Sequence, residues 1–205
     1  MVDFIKKNWN DIFKPVVVLL AICVVIPLAL SLTNKITVKR IAELEKKNTN
    51  ETMASLISAE EFEEKTFGSE NLFNYYVAKS ENKEIGYIFV TKTKGYGGEV
   101  SVMTAVNIDG TVKSVAILDA SNETPGLGQN VTKESFYSQF TGKIEGVKVL
   151  KNGADSEKNE IDAVTGATIS SRAVTKAVNE ALENYKIVKS LSSTYVPEGE
   201  VAVNE

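Results

Sequence analysis

The chain has 205 residues, 24% of them charged and 43% hydrophobic, with a formal net charge of −4, no histidine and one cysteine, Cys23. This excludes a disulfide, a cysteine-built zinc or iron–sulfur cluster, and histidine acid–base chemistry. Any redox role must therefore come from an organic cofactor, and the absence of a basic cluster outside the flanks of the apolar run argues against nucleic acid.

Residues 15–34 carry no charge, between Lys14 and Lys35. About 20 apolar residues at 1.5 Å each cross a hydrocarbon core of about 30 Å, which predicts a single transmembrane helix. Residues 1–14 precede it, with Trp9 placed for the membrane interface. Pro27 is tolerated in a membrane helix. A cleaved signal peptide is the rival reading, but the run is long for one and no A-x-A-like site follows. Lys6, Lys7 and Lys14 flank one side; Lys35, Lys39, Arg40, Lys46 and Lys47 flank the other. By count alone the C-terminal flank faces the cytoplasm.

Residues 35–60 read as a stalk, with Ile36, Ile41 and Leu44 at loose helical spacing. Ser58 and Glu61 resemble a capping box, so a short helix is expected to start there; a solvated linker fits the same residues. From Leu72 the pattern turns to strands. Phe73, Tyr75 and Val77 alternate, as do Ile85, Tyr87 and Phe89. Val100, Val102, Thr104, Val106 and Ile108 give the clearest period of two, running into Asp109-Gly110 and a return strand from Val112 to Leu118. A loop spans Ala120–Asn130. A helix over Lys133–Phe140 buries Phe136 and Phe140, and a strand follows over Gly146–Lys151. The last helix is expected from Ser171 to Val188, with Val174, Ala177, Val178, Ala181, Leu182 and Tyr185 as its apolar stripe. Residues 191–205, with Glu198 to Glu205 at their end, read as a flexible acidic tail. The class is α+β: a mainly antiparallel sheet with flanking helices, preceded by a single transmembrane helix.

Three segments carry candidate chemistry. Asp162-Ala-Val-Thr165-Gly166-Ala167-Thr168-Ile-Ser170-Ser171 stands before a helix, whose free N–H groups and partial positive charge suit a phosphate. Gly166 and Ala167 let a bulky ligand approach the backbone; Ser170 and Ser171 can cap the helix or bind phosphate oxygens. The same residues also read as a capped helix start after a tight turn. In Glu123-Thr124-Pro125-Gly126-Leu127-Gly128, Pro-Gly suits a type II turn, the glycines free the backbone to lie against a flat ring, and Leu127 can cover a ring face. An ordinary exposed loop is the other reading. Lys94-Gly95-Tyr96-Gly97-Gly98-Glu99 leads into a strand, so it is not a dinucleotide fingerprint. A turn accounts for it equally.

Taken in order, GYGGEV, the strand pair around DG, ETPGLG and TGAT resemble the FMN-binding domain of membrane redox complexes, over roughly residues 72–185. The resemblance implies FMN joined through a phosphoester to Thr168, the last threonine of TGAT, with Thr165 as a supporting contact. It implies a covalent FMN-binding domain over 61–190, with Asp162, Gly166, Ala167, Ser170, Ser171, Glu123, Thr124, Gly126, Leu127, Gly128 and Tyr96 as its other cofactor-binding residues. A separate flavin transferase is implied, acting from FAD and releasing AMP; Asp162 would position the acceptor loop or a metal on that enzyme, or simply serve the turn. Between two related proteins, the short stalk favours the G subunit of the Rnf ion-translocating ferredoxin:NAD+ oxidoreductase over the C subunit of the sodium-translocating NADH:quinone reductase. The resemblance places the chain in a bacterial or archaeal cell membrane, flavin domain outside the cytoplasm and 1–14 inside, against the charge count, with other subunits as partners. A stand-alone membrane-anchored reductase, using Tyr96, Glu99 or Glu123 as proton donor, and a colourless adhesion or assembly module are the rival classes.

Overall fold

The computed structural model describes residues 9–68 and 72–194. Residues 1–8 and most of the expected acidic tail, 195–205, lie outside the described residues. The chain divides into two compact units, 1–50 and 51–205. Helix α1 runs Trp9–Leu56 and passes through both Pro15 and Pro27. Its stretch Phe13–Asn34 is long and apolar enough to cross a membrane, with none of it buried.

The second unit is built on a five-stranded antiparallel meander in sequential order. The strands are β1 Glu61–Phe67, β2 Phe73–Ser80, β3 Lys83–Lys94, β4 Glu99–Asn107 and β5 Val112–Asp119. A short helix α2 (Glu134–Tyr137) and a 3-10 turn bury Phe136 and Phe140 as the sequence predicts. β6 (Lys148–Leu150) and β7 (Glu160–Asp162) form a separate parallel pair. Helix α3 spans Thr168–Thr194 and covers one face of the meander.

The alternating strands place one set of side chains under α3 and the other beneath the end of α1. Val77, Phe89, Val100, Val102, Val106 and Val115 join the α3 stripe Val174, Ala177, Val178, Ala181, Leu182 and Tyr185 in the main core. Met53, Leu56 and Ile57 pack on the opposite face against Ala78, Ile88, Met103 and Ala105. α3 is also tethered by hydrogen bonds. Thr91 Oγ1 donates to Ala177 O at 3.0 Å and Thr93 Oγ1 to Ala173 O at 2.8 Å. The spacing fits: two strand residues advance about 6.6 Å and four helix residues about 6 Å, so a strand threonine meets a helix carbonyl at each step.

Three expectations change. No helix starts at Ser58; α1 ends at Leu56 and Glu61 opens β1, which pairs with β2 along its whole length. Phe62 packs with Met53, Leu56 and Ile57 on the α1 side and Phe67 on the main core, so strand pairing and burial win over the capping pattern. Ile85 does not share a face with Tyr87 and Phe89. The β2–β3 register slips so that Ala78 faces Gly86 and Lys79 faces Glu84, and this bulge sends Ile85 to the α1 side. The hairpin after β4 has a three-residue loop: Gly110 N donates to Asn107 O and Asn107 N to Thr111 O, with Gly110 at φ +87°. Ile108 thus ends in the loop rather than in the strand.

Candidate functional site

The three glycine-containing segments converge at the N-terminal end of α3. The Gly95–Gly98 turn joins β3 to β4 and is closed by Gly95 N donating to Gly98 O at 2.7 Å. After β5, Asp119 Oδ1 accepts from Ser121 N at 2.8 Å, and that bond holds the Asp119 carboxyl below its ordinary pKa. The loop then makes the expected Pro-Gly turn. Leu127 N donates to Thr124 O at 3.1 Å, and Gly126 sits at φ +73°, as the third residue of a type II turn requires. Before α3 the same device recurs: Ala167 N donates to Val164 O at 2.9 Å, with Gly166 at φ +77°.

These turns enclose a cleft of about 480 Å3 lined by Tyr96, Thr124, Leu127, Gly128 and the run Gly166 to Ser170. Its size lies within the range of small-molecule sites, about 300–1,000 Å3. Three large side chains around it stay exposed: Tyr96 at 70%, Ile169 at 53% and Leu127 at 47%. A Cβ on Gly166 would stand 3.1 Å from Leu127 Cδ2, so the two turns touch. α3 begins at Thr168, three residues earlier than expected. Thr168 is therefore in the first turn, where backbone N–H groups lack intrahelical acceptors.

The predicted site residues separate into those that line the cleft and those that hold it. Thr168, Gly166, Ala167, Ser170, Thr124, Leu127, Gly128 and Tyr96 line it; Gly126 shapes the turn. Ser171 faces inward: its Oγ accepts from Val164 N at 3.0 Å and donates to Ala167 O at 2.9 Å. Glu123 is 1% exposed, beneath the cleft. Asp162 and Thr165 lie in a neighbouring depression with Asn130, Lys133, Ser135 and Gln139. The Asp162 carboxylate accepts from Ala154 N at 2.9 Å, and its backbone N–H donates to Gln139 Oε1 at 2.8 Å. A larger depression of about 610 Å3 surrounds Asp109, Tyr185 and Lys186 and contains no residue of the three segments, and Lys186 there is paired with Glu145.

Sequence reasoning passed over Ile169, whose exposure in a helix's first turn shows only once α3 is placed. It also passed over Gln139, which grips Asp162 from another element through both its carbonyl and its amide.

The family described as the FMN-binding domain matches residues 95–183, a span that takes in all three segments apart from Lys94. The G subunit of the Na(+)-translocating ferredoxin:NAD(+) oxidoreductase complex of Acetobacterium woodii is 36% identical over 199 residues, covering 89% of this chain and 95% of that protein. The chain belongs to this G-subunit family. The G subunit of the proton-translocating complex of Clostridium ljungdahlii is likewise 36% identical, over 86% of this chain and 93% of its own. The family fold extends to a crystal structure of the C subunit of the Na(+)-translocating NADH-quinone reductase from Parabacteroides distasonis. That chain superposes with a TM-score of 0.50 at 25% identity, over 58% of this chain and 63% of the other. The expectation of a G subunit rather than a C subunit holds, as does that of an oxidoreductase-complex member rather than an adhesion module.

Proposed function

We propose that this G subunit holds FMN covalently on Thr168, spans the membrane once through Phe13–Asn34, and relays electrons within an ion-translocating ferredoxin:NAD+ oxidoreductase complex. The observation that carries the assignment is the separation of the two threonines of TGAT. Thr168 faces the cleft at the α3 N-terminus, whereas Thr165 faces the neighbouring depression. The residues present fit the group. Gly166 and Ala167 leave the backbone open beside Thr168, the helix start favours a phosphodiester's negative charge, and Tyr96, Leu127 and Ile169 offer apolar surface to a flat ring. When bound, flavin supplies one- and two-electron transfer, which these side chains lack.

In the attachment reaction the Thr168 hydroxyl loses its proton and bonds to the FMN-side phosphorus of FAD, while the pyrophosphate bond breaks and AMP leaves. A flavin transferase catalyses this step. We place the domain on the extracytoplasmic side, as its resemblance implies, where a covalent bond would keep the cofactor with the protein. The other members of the complex supply the electron donor and acceptor. Relatives named for sodium and for proton translocation are equally similar to this chain, which supports placing ion choice in other subunits.

Thr168→Val, co-expressed with a flavin transferase, is expected to stay folded and to lose all flavin fluorescence in a denaturing gel, whereas Thr165→Val keeps it. A fluorescent band from Thr168→Val would overturn the assignment.

A further inference from the structure

The glycines of the Lys94–Glu99 and Glu123–Gly128 segments have a tenant other than a cofactor. Glu123 is 1% exposed, where the Gly95 turn, the Gly128 loop and the start of α3 meet. Gly97 N donates to Glu123 Oε1 at 3.0 Å, and Ser170 Oγ donates to Oε2 at 2.5 Å. A Cβ on Gly95 would fall 2.2 Å from Oε1, and one on Gly128 would fall 2.6 Å from Oε2 and 2.9 Å from Ser170 Oγ. A Cβ on Gly97 would fall 1.9 Å from Asn122 O. The glycines at 95, 97 and 128 thus make room for Glu123 and the chain leading to it. Burying a carboxylate is costly unless its oxygens are hydrogen-bonded, and here each oxygen has a donor from a different wall of the cleft. Gly97 follows Tyr96, and Ser170 lies in the same helical turn as Thr168.

We propose that Glu123 is a positioning residue. It does not touch the flavin; its carboxyl pins the Tyr96 turn to the Thr168 turn and so keeps the two walls of the cleft in register. This rests on the reading of the cleft as the flavin site, and it adds the means by which that site holds its shape. The pin is geometric, which Gln can test. Its carbonyl can accept from Gly97 N–H while its amide donates to a Ser170 hydroxyl turned to accept.

The test uses the full-length chain in detergent, without flavin and after co-expression with a flavin transferase. In the flavin-free protein, hydrogen exchange at the Gly97 amide is expected to quicken about tenfold in Glu123→Ala, the loss of one hydrogen bond, and to stay near the parent rate in Glu123→Gln. In the loaded protein Glu123→Ala is expected to lower the anisotropy of flavin fluorescence and raise its yield, and Glu123→Gln to restore both. If Glu123→Ala does not fold, Ser170→Ala removes one end of the pin and is expected to move both readouts the same way. Unchanged exchange and anisotropy in the alanine variants would overturn the proposal, as would Glu123→Gln behaving like Glu123→Ala. Absence of flavin from the parent's Thr168 peptide would instead overturn the attachment site, leaving the exchange measurement to decide the pin.

Discussion

Glu123 and Thr104 are both buried polar residues, and the fold treats them differently. Glu123 is the more costly group to bury, yet both of its oxygens are paired and three glycines make space for it and its approach. Thr104 is 0% exposed in the main core, and its Oγ1 has no hydrogen-bond partner. It stands across from Phe89 on one side and Val115 on the other, so its neighbours in the sheet are apolar. The region around Glu123 is organised for a polar interaction between distant segments. The region around Thr104 is organised for packing, and its hydroxyl contributes volume only.

The largest effect that distinguishes them is expected from Gly95→Ala. The new Cβ meets Glu123 Oε1 at 2.2 Å and Val100 Cγ2 at 2.9 Å. Thermal unfolding followed by circular dichroism should show a loss of about 3 kcal/mol, the upper range for overpacking. Gly126→Ala, which meets nothing within 4 Å but has φ +73°, should lose only about 1 kcal/mol. Equal losses would show that Glu123 is not tightly enclosed. A smaller effect of opposite sign is expected from Thr104→Val. Replacing an unpaired buried hydroxyl by a methyl of the same shape should raise stability by about 1 kcal/mol. A lower melting temperature would show that the hydroxyl has a partner after all.

The smallest effect extends the comparison to an exposed carboxylate. Asp109 Oδ1 accepts from Thr111 Oγ1 at 2.7 Å and from Thr111 N at 2.9 Å, and those bonds, the side-chain one first, lower its pKa. Because the folded value lies below the unfolded one, the stabilisation is complete above the ordinary carboxylate range and disappears as pH falls through the folded value. Asp109→Ala should therefore melt slightly lower than the parent near neutral pH, with the gap closing below about pH 4. A gap that widens on acidification would reverse the assignment.

The same contrast explains which parts were legible in the sequence. The hairpin from Val100 to Leu118 and the stripe of α3 were readable because periodic burial leaves a local signature. β1 was hidden because Glu61, Glu63 and Glu64 break its alternation, and only its pairing with β2 makes it a strand. Ile85 was misplaced because a bulge depends on two strands and leaves no mark on one. At the site, the small residues around Thr168 and the Pro-Gly turn were recognisable locally. Glu123 was named as a cofactor-binding residue, but its burial was not readable, since a carboxylate in a loop with Asn, Thr and Pro reads as solvated. Its burial depends on Gly95 and Ser170, far apart in the chain.

The two threonine tethers between β3 and α3 have a consequence for electron flow. Thr93 leads directly into the Gly95 turn, and Ala173 follows closely on Thr168, so the bond between them ties both sides of the cleft to one stiff frame. A redox centre held by such a frame can change charge with little rearrangement of the groups around it. The protein's own share of the nuclear cost of each transfer is then reduced, which leaves the solvent at the open side of the cleft as the larger share.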